Sequence, residues 1–167
     1  VCAIATQSTG EDDLVVIGTG QSQCYGLKKG SIVNIETTGE AITQAVEEAE
    51  LQAGIEINEV YANISGEGTK SFNKDGDIAI SSKDREITSE EEARAIKYAQ
   101  KINLSSDRQI VHVFPQEFIV DDQEGIKTPV GMNGVRLKVK VHIVTGLVSS
   151  ITNIVKSVNR VGYRVAD

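Results

Sequence analysis

The sequence predicts an α/β protein with mixed sheet, built as two lobes, and three observations predict it. Apolar residues recur at period 2 in several short runs, most regularly in Val135, Leu137, Val139, Val141 and Ile143, the spacing of one face of a strand. They recur at helical period in three other runs. Between them the character shifts at Gly66-Glu67-Gly68, which divides an apolar first part from a more polar second part.

Taken in order, Val1–Gln7 and Leu14–Gly20 read as two strands joined by a hairpin turn at Gly10-Glu11-Asp12-Asp13. A third strand is expected over Ser31–Ile35, after the breaks at Gly26 and Gly30. From about Thr38 the period changes: Ile42, Ala45, Val46 and Ala49 share a helical face, and Gly54 is the stop signal. Glu59–Ser65 returns to strand. Lys70–Ser81 reads as a polar hairpin turning at Asp75-Gly76, with Ile78 and Ile80 in alternation. Thr88-Ser-Glu-Glu91 is a capping box, and Ala95, Ile96, Ala99 and Ile102 follow it along one helical side. Gln109–Asp121 and Val135–Gly146 are strands separated by a long Gly- and Pro-punctuated connection. Leu147, Ile151, Ile154, Val155 and Val158 form the inward stripe of a last helix stopped at Gly162, and Tyr163–Asp167 could begin another strand.

Composition narrows the function classes. The chain has 167 residues, 40% of them hydrophobic and 25% charged, which is globular usage. With 4% aromatics and no Trp, its core must rest on Val, Ile, Leu and Ala. A net charge of −7 argues against nucleic acid as a partner, because phosphate contacts need a basic surface. Cys2 and Cys24 have neither metal-ligand spacing nor disulfide-scaffold density, so both read as core thiols of a reducing compartment. No apolar run approaches the roughly 20 residues of a membrane helix. The opening VCAIATQ is strand-like and lacks an initiator Met, so the expectation is a segment of a longer protein and not a signal peptide.

Candidate chemistry is sparse. Ile17-Gly-Thr-Gly20 follows a strand but leads into no helix, so it lacks the amide cradle of a phosphate loop, and Ser65-Gly-Glu-Gly68 fails likewise. His112 and His142 have no ligand at metal spacing, and both read as structural or surface residues. Glu90-Glu91-Glu92 suits the first turn of a helix. Asp121-Asp122-Gln123-Glu124 reads as a solvated turn, with weak cation binding as the alternative. Arg136, Lys138, Lys140 and His142 line the polar face of the alternating strand on an otherwise acidic chain. Lysines commonly guard solvent-facing strands; the functional alternative is a docking face for an acidic partner. No catalytic site is visible, and an interaction module is the class left standing.

A resemblance adds to this reading. Val111-His-Val-Phe-Pro-Gln-Glu-Phe118, Asp121, Gln123-Glu-Gly-Ile-Lys127, Pro129, Gly131-Met132, Gly134-Val-Arg136 and Val141-His-Ile-Val-Thr145 resemble the signature of the FtsA family, bacterial actin-like proteins of cell division. Val1-Cys-Ala-Ile4, Gly26-Leu-Lys-Lys-Gly30, Ala45-Val-Glu-Glu-Ala49, Val60–Gly66, Asn153-Ile-Val-Lys156 and Val161-Gly162 extend the likeness along the chain. It implies a partial actin-like, ribonuclease H-like lobe (subdomain 1A) in residues 1–65 and 146–167. Residues 66–145 would then be an inserted strand–helix–strand–strand subdomain (1C). It implies no enzyme activity for this segment and no cofactor within it, with ATP and Mg expected only of the full-length parent through parts outside these residues. The family tethers FtsZ filaments to the cytoplasmic face of the membrane at the division site and recruits later divisome proteins. By the resemblance, FtsZ and membrane contacts lie elsewhere in the parent, and self-association and downstream partners would use 1C. Its partner-binding candidates are Gly125, Ile126, Lys127, Pro129, Met132, Arg136, Lys138 and Lys140. The alternatives are a related pilus-assembly platform protein, or an actin-superfamily ATP-dependent enzyme or chaperone such as a sugar kinase.

Overall fold

A computed structural model describes residues 1–10, 13–66 and 68–167. The chain forms two compact units, Val1–Gly68 with Val148–Asp167, and Thr69–Leu147.

In the first unit, β1 (Cys2–Ser8) and β2 (Leu14–Gln21) pair antiparallel with an irregularity between Ala5 and Thr6. Of the turn expected between them, Glu11 and Asp12 lie outside the described residues. The expected strand Ser31–Ile35 is cut short. Leu27–Lys28 (β3) and Ser31–Ile32 (β4) form a tight hairpin instead, with Lys29 and Gly30 both at positive φ (51° and 80°), the conformation of a two-residue turn. The chain then needs Asn34 as N-cap: its side chain accepts from the Thr37 N–H at 3.0 Å, and α1 (Ile35–Ala53) begins three residues before the expected Thr38. Gly54 closes the helix in the left-handed region (φ 68°) and donates its N–H to the Glu50 carbonyl at 2.8 Å.

Helix α1 lies on β2 at backbone distance, because Gly18 and Gly20 present no side chain to it. A Cβ at either would run into the carbonyl oxygens of Ala49 and Ala45. The expected strand Glu59–Ser65 is reduced to β5 (Glu59–Val60), parallel to β10 (Arg164–Val165). Pairing reaches only as far as the Ala62 N–H on the Asp167 carbonyl (3.0 Å), so Asn63–Ser65 find no ladder. Leu147 is not part of the final helix: it ends β9, and α3 (Val148–Arg160) follows directly. Ser157 and Val158 are buried, while Ile151, Ile154 and Val155 are half-buried. Cys2 is exposed and Cys24 half-buried, which corrects the reading of both as core thiols. A one-sided strand simply places Cys2 outward.

The second unit is a four-stranded antiparallel sheet in the order β6-β9-β7-β8, from β6 (Lys70–Ala79), β7 (Arg108–Val120), β8 (Gln123–Ile126) and β9 (Arg136–Leu147). Helix α2 (Ser89–Ala99) covers one face; Ile102 lies beyond its end, half-buried against the core. Leu137, Val139, Val141 and Ile143 are completely buried, each contributing about 1.5–3 kcal/mol relative to exposure. With Ile87, Ala95, Ala99, Phe118 and Val120 they form the core. Val135, expected to join that row, precedes the strand and is 52% exposed.

Two expectations change here. Lys70–Ala79 is one continuous strand and not a hairpin, with Asp75 opposite Lys140 and Gly76 opposite Val139. The bare Gly76 is where α2 crosses. The connection after β7 also contains a fourth strand, since Asp121 (φ 53°) and Asp122 make a two-residue turn into β8. The subdomain is therefore strand–helix–strand–strand–strand.

Candidate interaction surface

The sheet of the second unit buries one face under α2 and exposes the other, and the alternating strand β9 decides which side chains appear there. Arg136, Lys138, Lys140 and His142 project to the exposed face. They do not form a bare cationic stripe. Arg136 forms a two-pronged pair with the Asp77 carboxylate. Lys138 Nζ lies 2.8 Å from Asp75 Oδ2, and Lys140 Nζ 2.7 Å from Glu117 Oε1. His142 Nδ1 is 2.7 Å from Asn73 Oδ1. Cation and anion columns thus run side by side across β6, β9 and β7.

The local titration behaviour follows from these pairs. The hydrogen bond from Arg136 holds the Asp77 carboxyl below its usual range, and the reciprocal bond raises the guanidinium. Likewise the Lys140 bond lowers Glu117, and Glu117 raises Lys140. The docking reading from charge alone is corrected accordingly: an acidic partner would have to displace carboxylates already in place.

The other predicted contact residues divide. Gly125 (φ 78°) and Lys127 are exposed, and Lys127 Nζ donates to the Gln116 carbonyl at 2.7 Å. Ile126 is half-buried opposite Phe118. Pro129 is fully buried, which withdraws its side chain from a partner, and Met132 is half-buried and packed against the core. Their segment is strapped down instead. The Ile87 N–H donates to the Met132 carbonyl (2.8 Å), the Gly131 N–H to the Ile87 carbonyl (2.9 Å), and Asn133 Nδ2 to the Asp84 carbonyl (2.9 Å).

Sequence reasoning missed the anionic partners Asp75, Asp77 and Glu117. The alternation of Asn73, Asp75 and Asp77 mirrors that of β9 and was the available signal, hidden by the turn-like Asp-Gly pair. It also missed Phe114, 48% exposed on the same face, opposite His142 in register, its ring centroid 5.4 Å from that of His112. His112, Phe114 and His142 make an aromatic end to an otherwise charge-laced surface.

The remaining candidates have structural work. Asp121 Oδ1 accepts from the backbone N–H groups of Val135 and Arg136, both at 3.0 Å, which holds the turn against β9. Among the described residues no group of His, Cys, Asp and Glu is placed to hold a metal ion. Gly18 and Gly20 face α1 and cradle nothing. Gly66 sits against the Lys29 carbonyl, while Glu67 of the same motif lies outside the described residues. Glu91 is 5% exposed, accepting from the Ser81 N–H at 2.7 Å and completing the Thr88 capping box. Among the described residues no helix is long and apolar enough to cross a membrane.

Against known proteins, residues 66–145 match the family described as the SHS2 domain inserted in FTSA. The chain is similar to the cell division protein FtsA of Borreliella burgdorferi, 41% identical over 99% of this chain and 40% of the relative. The Pseudomonas aeruginosa protein of that name is 39% identical over 100% of this chain and 40% of the relative. That of Neisseria meningitidis is 38% identical over 98% and 39%. The chain thus spans about two fifths of the length of these relatives. A solved structure described as the PilM-PilN type IV pilus biogenesis complex superposes over 99% of this chain and 43% of its own, with a TM-score of 0.58 at 10% identity. That likeness is one of fold.

Proposed function

Because the chain belongs to the FtsA family of cell-division proteins, as a segment of that family's length, we propose that it is part of a division scaffold that works through protein–protein contacts. The parent tethers FtsZ filaments to the cytoplasmic face of the membrane at the division site and recruits later division proteins. FtsZ and membrane contacts belong to parts outside these residues; self-association and downstream contacts belong to the sheet subdomain at Thr69–Leu147. ATP with Mg is bound by the parent, by groups outside this segment, and no catalytic step is assigned to it.

The single observation that supports this reading is identity near 40% sustained over essentially the whole chain, through both units. The contact surface fits the role. It presents paired charges with an aromatic end at Phe114 and His112, a mix suited to a reversible interface. The pilus-platform alternative has fold likeness alone on its side.

The test is localisation of the parent gene product, fused to a fluorescent protein, in cells from which FtsZ can be depleted. A midcell band that disperses on depletion is the expected result. A band that persists without FtsZ, or diffuse fluorescence throughout, would overturn the tethering role.

A further inference from the structure

The geometry points to Asn133 as a modification site, an asparagine that deamidates through its own backbone and is held unreactive while the turn at 82–85 stays closed. The chain has eight asparagines, and Asn133 alone is followed by glycine; the others precede Ile, Glu, Lys, Leu or Arg. A glycine nitrogen has no Cβ beside it to obstruct attack on the preceding side chain, whereas a bulky residue does. Asn133 is also exposed, so water, the one co-reactant, reaches it.

The step exchanges one bond for another. The Gly134 nitrogen loses its proton and bonds to Asn133 Cγ, the Cγ–Nδ2 bond breaks, and Nδ2 leaves as ammonia with that proton. Water then adds to either carbonyl of the resulting succinimide ring. The product is aspartate at position 133, or isoaspartate, whose main chain runs through the side-chain carbon and gains a methylene.

Two hydrogen bonds hold the reacting groups back. The Gly134 N–H donates to the Arg85 carbonyl and Asn133 Nδ2 to the Asp84 carbonyl, both at 2.9 Å. Both acceptors belong to one turn. It is closed by the Arg85 N–H on the Ser82 carbonyl (3.1 Å) and braced by Ser82 Oγ on the Glu86 carbonyl (2.8 Å). Opening that turn therefore frees nucleophile and amide together. The turn is also a weak point: residues 83–86 are exposed, and Arg85 sits at φ 55°, a left-handed conformation unfavourable to a residue with a Cβ. Exposed, strained segments of this kind open locally without global unfolding.

The product cannot reclose as before. Ahead of position 133 the Met132 carbonyl is held by the Ile87 N–H (2.8 Å), and beyond it Asp121 Oδ1 holds the Val135 and Arg136 N–H groups (3.0 Å). Gly134 has no slack, since a Cβ there would lie 2.5 Å from Val120 Cγ1. An added methylene must break one of these anchors, and a carboxylate at 133 offers no N–H to the Asp84 carbonyl. One opening of the turn is thus converted into lasting release of the strap over Pro129 and Met132. The inference holds whatever the parent does in division.

The experiment is peptide mapping by mass spectrometry on the full product of the gene, kept folded or unfolded in urea at the same mildly alkaline pH. Asn133 converts at least about tenfold faster in the unfolded chain, ahead of every other asparagine. Equal rates would show that the turn guards nothing, and an Asn133 no faster than its counterparts when unfolded would remove the site. Ser82→Ala cuts a bond of the turn and speeds conversion in the folded protein; Arg85→Gly relieves the backbone and slows it. Neither alters the unfolded rate. Folded rates unchanged in both variants would overturn control by the turn. The converted form, separated by isoelectric focusing on its extra negative charge, exchanges the Ile87 and Gly131 amides faster than the unconverted one. Unchanged exchange would overturn the release of the strap.

Discussion

A Cβ built on Gly76 would stand 2.9 Å from the Cβ of Ala99 and collide with the carbonyl oxygen of Ala95. The glycine is what lets α2 lie directly on β6, and the rest of the core packs around that approach. Gly76→Val should therefore destabilise the protein by about 1–3 kcal/mol, the usual cost of overpacking a filled core. Urea unfolding followed by circular dichroism measures it. An unchanged midpoint would mean that α2 does not seat on Gly76.

Glu91 should behave as a buried clasp between β6 and α2. Its removal in Glu91→Ala leaves the Ser81 and Ser82 N–H groups without their acceptor, at about 1–3 kcal/mol. Burial alone would raise the Glu91 carboxyl, but the bonds from Ser81, Thr88 and Ser82 outweigh it and hold the group below its ordinary value of 4.5. A carboxyl depressed in the folded state binds fewer protons there than when unfolded. Its contribution is thus complete above 4.5 and fades as pH falls below that, through the folded value. The acid limb of the wild-type stability curve should be steeper than that of Glu91→Gln.

The charge ladder should respond to salt. Lys138→Glu sets like charges across from Asp75, costing about 0.5–1 kcal/mol at low ionic strength and less on the order of 1 M salt. The fold survives. A cost that salt does not reduce would show that Lys138 contributes through its packed stem.

Two kinds of surface residue should separate cleanly. Met132→Ala removes a half-buried core contact and should lower stability by about 1–2 kcal/mol. Phe114→Ala, on the exposed aromatic end, should leave stability within about 0.5 kcal/mol and weaken self-association in sedimentation. The opposite pattern would remove that face from the proposed interface.

Calorimetry with ATP and Mg should give no binding heat for these 167 residues. Micromolar binding would place nucleotide contacts inside the segment and undo the division of labour proposed above.

By itself the sequence determined the local elements whose signals are complete within a few residues. Gly54 closes α1, the Thr88–Glu91 box opens α2, and alternation puts Leu137, Val139, Val141 and Ile143 inside. Each depends on backbone geometry or on a period, and neither needs a neighbour to be read. What only the tertiary structure decided were the positions where a short-range signal has two uses. Asp75-Gly76 has turn chemistry, yet forms mid-strand, because ten register pairs with β9 and the close approach of α2 outweigh a local preference. Arg136, Lys138 and Lys140 read as a cationic face, yet are matched by Asp77, Asp75 and Glu117 from strands remote in sequence. Pro129 and Met132 sit in a loop-like stretch, yet lie in or against the core. In each case the deciding partner is far along the chain, and only the register of the sheet brings it near.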